Sequence, residues 1–66
     1  MYKLVITSVE DGKKKVDSKG FWMTAAGLEC AEEEFEEAKI RQDVVTIMLW
    51  RQDSHGTFEL KRWDRK

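Results

Sequence analysis

The sequence predicts one small α+β domain of β-β-α-β-β order, with a four-stranded antiparallel sheet (order 2-1-3-4) and one helix packed on one face. Three observations carry this reading. Two-residue alternation marks both ends of the chain, a stripe at three- and four-residue steps marks the middle, and glycine turns separate the strands.

The first strand, Tyr2 to Val9, alternates Tyr2, Leu4, Ile6 and Ser8 against Lys3, Val5, Thr7 and Val9. Asp11-Gly12 is a hairpin signal, because glycine accepts positive φ without a Cβ clash. The second strand, about Lys13 to Lys19, has Val16 as its one clear apolar residue, and its lysines suit an edge. A two-residue turn would pair Val16 with Thr7. A three-residue loop ending in Gly12 would pair it with Ile6, and is favoured because it puts Val16 on the Leu4/Ile6 face. Gly20 to Met23 forms an apolar connector with Phe21 and Trp22. Thr24 is a candidate N-cap for a helix from about Ala25 to Arg41, on which Leu28, Ala31, Phe35 and Ala38 form one stripe. Lys39 and Arg41 suit its negative end, and Glu37–Arg41 is a favourable i,i+4 pair.

The third strand, Val44 to Arg51, is apolar on both sides, as a central strand should be. Val45, Ile47 and Leu49 lie on one side, Val44, Met48 and Trp50 on the other. Asp53-Ser54-His55-Gly56 reads as a type I turn closed by glycine. The last strand, Thr57 to Trp63, sets Phe58 and Leu60 against Glu59, Lys61 and Trp63. A right-handed crossover carries the third strand over the first, which centres the two most apolar strands.

One helix cannot cover both faces of such a sheet. With Val45, Ile47 and Leu49 under the helix, the opposite face is left with Met48, Trp50 and Trp63 beside Val44 and part of the first strand. Lone chains seldom expose a large apolar patch, so this face is a candidate partner surface. The competing expectation is that the C-terminal residues or the Phe21/Trp22 connector fold over it.

The charge is bipolar. The chain is 38% charged with a formal net charge of −1, yet Glu29 to Glu37 holds six glutamates and no base, and the rest carries a net of +5. The acidic helix face, with Glu29, Glu33, Glu36 and Glu37 around an apolar Ile40, is the second candidate partner site. Such a face is ordinarily a solvated one. Lys13-Lys14-Lys15, Lys61, Arg62, Arg65 and Lys66 make the positive end. With Trp50 and Trp63 they would suit single-stranded nucleic acid, where sheet aromatics stack on bases and lysines follow phosphates. The ribonucleoprotein-type aromatic sequence is absent, however, and the chain is net acidic.

Catalysis is not expected. Asp53, Ser54 and His55 are turn residues too close in sequence for one to orient another against a nucleophile. Cys30 reads as a semi-buried structural thiol, since neighbouring glutamates oppose a thiolate. A lone cysteine excludes an internal disulfide and fits a reducing, cytoplasmic compartment. No metal site or cofactor is implied: the chain has no glycine-rich phosphate loop, CxxC pair or HExxH pattern. No apolar run is long enough to cross a membrane. The expected function is therefore a non-enzymatic protein-interaction module, an inhibitor or adaptor that can also form a homodimer. Single-stranded nucleic-acid binding is the alternative. Small size and bipolar charge are compatible with the accessory proteins of phages and mobile elements.

Overall fold

A computed structural model describes Met1–Arg65. The elements are β1 (Tyr2–Glu10), β2 (Lys13–Phe21), α1 (Ala25–Ile40), β3 (Val44–Asp53) and β4 (Gly56–Asp64). The sheet is antiparallel throughout, in the order β2-β1-β3-β4, with α1 on one face. The predicted architecture is the observed one.

The β1–β2 hairpin closes through Asp11 (φ 52°) and Gly12 (φ 76°). Both central residues are left-handed, which defines the tight two-residue turn whose twist matches the strands. The expected three-residue loop is thus replaced, and Val16 pairs with Thr7 rather than Ile6. Val16 therefore sits on the face away from the helix, 59% exposed. Burying one valine was too small a gain to override a turn that Asp-Gly favours locally.

The Thr24 hydroxyl accepts from the Gly27 amide at 3.0 Å and caps α1. Gly27 is required by close approach: a Cβ there would collide with the Trp22 carbonyl oxygen. Ala31, Phe35 and Ala38 are buried and Leu28 packs beside them, as the stripe predicts. The helix stops at Ile40, and Arg41 is extended. Arg41 consequently pairs with Asp43 at 3.0 Å, and the expected Glu37–Arg41 pair does not form.

Leu4, Phe35, Val44, Ile47 and Leu49 form the centre of the core. Val44 was expected on the far face. A β-bulge between Thr7 and Ser8 leaves Val45 unpaired, so Ser8 meets Val44 and turns it inward. A second bulge, at Leu49/Trp50, makes Leu60 the extra residue of β4. Beyond it the phase of β4 reverses: Trp63 pairs with Ile47 and packs against the core. This corrects the expectation that Trp63 lies on the uncovered face.

Arg65 fastens the C-terminal end. Its Nε donates to the Val44 carbonyl at 2.8 Å and its Nη2 to the Arg41 carbonyl at 2.7 Å, just past the helix end. Its guanidinium lies 5.0 Å from the Trp63 ring centre. Part of the expected positive end is thus spent on structure. Lys66, also assigned to that end, lies outside the described residues.

Two substitutions test this account. Gly27→Ala would ordinarily favour a helix by about 1 kcal/mol; here it should lower the urea midpoint, because the new methyl meets a backbone oxygen. Arg65→Ala should cost about 1–3 kcal/mol in the same measurement, by freeing carbonyls at the helix end.

Candidate functional site

The face of the sheet opposite α1 can be laid out from the register. Across its middle, Ser18, Val5, Met48 and Arg62 lie side by side on β2, β1, β3 and β4. One step toward the β3–β4 turn the row is Gly20, Lys3, Trp50 and Glu59; one step the other way it is Val16, Thr7, Thr46 and Asp64. Val9 pairs with Lys14 at the far end. The centre is apolar and the charges lie around it. Val5, Met48 and Trp50 are half-buried by their sheet neighbours, whereas Val9 and Val16 are exposed.

The segments expected to cover this face do not do so. Phe21 pairs with Tyr2 and packs on the core, on the helix side. Trp22 stands 80% exposed. Arg65 is tied to the helix end. Among the described residues only Met1 contributes: its amine donates to the Gln52 carbonyl at 2.6 Å, and its thioether fills the space above Gly20. A shallow recess lined by Lys3, Val5, Trp50, Gln52 and Thr57 opens beside it.

At the β4 margin Arg62 donates to Asp64 at 2.9 Å and lies 3.9 Å from Glu59. The Thr46 hydroxyl also donates to Asp64, at 3.2 Å. These contacts, Arg62 first, hold the Asp64 carboxyl below its ordinary value of 3.8, and Asp64 in turn raises Arg62. The margin is thus net acidic, while Lys14 makes the opposite margin, on β2, basic, and Lys3 lies further in on β1.

The second candidate site lies on the far side of the molecule. Glu29, Glu32, Glu33, Glu36 and Glu37 line one shallow outward depression. Ile40 continues that side and is 82% exposed, so it does not turn inward. Glu36 bonds to Lys39, which lowers its pKa. Glu34 leaves the group to pair with Lys19 of β2 at 3.0 Å. Cys30 is exposed rather than semi-buried, since it falls just off the apolar stripe.

Of the residues expected to form one sheet-face site, Met48 and Trp50 come together and Trp63 does not. Val5, Val16, Lys3 and Lys14 join them. Alternation in the first strand signalled Val5 and Lys3; the position of Val16 and Lys14 depended on the turn. A further exposed pair went unrecognised. Phe58 and Leu60 line a groove with Arg51, Asp53 and His55, because α1 packs on β3, β1 and β2 but does not reach β4. Alternation puts Phe58 and Leu60 on one side of the last strand but does not show that the helix stops short of them. Among the described residues no group of His, Cys, Asp or Glu could hold a metal ion, and no helix is long and apolar enough to cross a membrane.

No family model, no curated protein and no solved structure matches this chain. Its function is therefore argued from its surfaces.

The Asp64 cluster gives a pH prediction. A carboxylate with a lowered folded pKa stabilises the fold above its unfolded value of 3.8 and loses that contribution as pH falls through the folded value. Arg62→Gln should raise the Asp64 pKa toward 3.8 in a carboxyl NMR titration. An unchanged titration would mean that the pairing is not maintained in solution.

Proposed function

We propose that this protein is a non-enzymatic interaction module that works through the open face of its sheet. The observation that carries this is the half-buried Val5–Met48–Trp50 centre, on a face that, among the described residues, only Met1 covers, at its rim. An apolar centre with Trp and Met, rimmed by charge, is the composition of a protein-binding surface. As an inhibitor or adaptor, the domain would act by occupying a surface of a larger protein.

The acidic helix is the secondary contact in this reading. Glu29, Glu33, Glu36, Glu37 and Ile40 point away from the sheet, so both faces can be engaged at once. Single-stranded nucleic acid has less support. Trp63 is on the helix side, leaving Trp50 as the one tryptophan on the sheet platform. Of Lys13, Lys14 and Lys15, only Lys14 alternates onto the open face.

Affinity capture with three baits tests the reading: the native chain, a Trp50→Ser variant, and a Glu33→Lys/Glu36→Lys variant. The native chain should retain a specific protein that Trp50→Ser loses. The helix variant should weaken capture without abolishing it. Capture that is equal for native and Trp50→Ser baits would contradict a sheet-face function.

A further inference from the structure

We propose, building on the sheet-face reading above, that until a larger protein displaces it the occupant of this face is a second copy of the same chain, packed face to face about a two-fold axis parallel to the strands. Three features point to it: the size of the face, the arrangement of its charges, and the position of its apolar residues.

Four strands spaced about 4.8 Å apart, nine residues long at about 3.3 Å each, present roughly 19 Å by 30 Å. Two such faces bury about 1,100 Å², just above the roughly 1,000 Å² that a specific interface needs. The face is thus large enough for a dimer, and small enough for that dimer to dissociate on dilution.

The charges choose the symmetry. A closed dimer must be self-complementary. An axis along the strands sets β1 of one copy over β3 of the other, and β2 over β4. Val5 then packs on Met48, and Lys3 lies over Trp50, where a cation is attracted to the ring face. The basic margin with Lys14 approaches the acidic margin with Asp64, and Arg62 meets the uncharged Ser18. A two-fold axis across the strands would instead set Arg62 over Arg62 and Glu59 over Asp64, like charge on like. Aligned packing of two sheets, about 30° apart, satisfies the twist of both.

The experiment is sedimentation velocity over a dilution series of the native chain and of Met48→Glu. The native chain should show a reversible monomer–dimer equilibrium. Met48→Glu places two charges in the dimer centre and should raise the dissociation constant about 100-fold or more, with an unchanged circular dichroism spectrum. Orientation is read by linking with a short bismaleimide in a Cys30→Ser background. Mixed Ser18→Cys and Arg62→Cys chains, on the two edge strands, should link to each other. Ser18→Cys chains alone should not, because this axis sets their edges three strand spacings, about 14 Å, apart. Linking of Ser18→Cys to itself would overturn the proposed axis.

A monomer at all concentrations would overturn the dimer. The Trp50 indole NMR signal, with a dissolved paramagnetic reagent, then separates the two claims. An attenuated Trp50 signal in that monomer would remove the second copy and leave the sheet-face reading standing. A protected one would remove both.

Discussion

A single helix has to shield a sheet about twice its width. Sixteen helical residues give a cylinder about 24 Å long and 10–12 Å across, against a sheet roughly 19 Å wide. The helix therefore lies over β1 and β3, reaches β2, and stops short of β4. Phe35 is the residue on which this packing depends, because it fills the space above Leu4, Ile47 and Leu49. Lysines extend the cover where the helix ends: the Lys61 ammonium sits 4.9 Å from the Phe35 ring centre, and the Lys39 ammonium 5.1 Å. Their aliphatic stems shield apolar surface while their charges stay in water. Everything else of functional interest is a consequence of this shortage, including the open face and the Phe58/Leu60 groove.

Burial on only one side also explains how the chain distributes its charge. Seven hydrophobic residues are buried outright, a small core for a domain that must offset its chain entropy. Ion pairs at the surface add little to that. They instead set the sign of each region: glutamates on the outer helix, a net acidic margin on β4, lysines on β2. An interface between copies would add stability by mass action, in proportion to concentration. Such an interface would draw on a second set of apolar residues, Val5, Met48 and Trp50, on the side of the sheet away from the core.

The fold was legible because local patterns agreed with one another. The Leu28–Ala31–Phe35–Ala38 stripe, Thr24 as a cap, the Asp-Gly turn and a third strand apolar on both sides all point to one topology. The errors in the site came from two bulges. An extra residue at Val45 and another at Leu60 each reverse the inside–outside phase, and no residue type at either position announces it. Val44 moved inward and Trp63 moved to the core side of the sheet for that reason. The hairpin register failed differently. Asp-Gly signals the tight turn that forms, and the burial of one valine is too small a gain to displace it. Cys30 and Arg41 show a milder limit, since a single helical step decides whether each meets the core, a partner or water.

Hydroxyl-radical footprinting of the dilute chain, read by mass spectrometry, tests most directly whether one chain leaves this face open. Met48 and Trp50 should be modified readily, while Phe35 on the other side of the same sheet stays protected. Met48 and Trp50 protected to the degree of Phe35 in a dilute monomer would contradict the account.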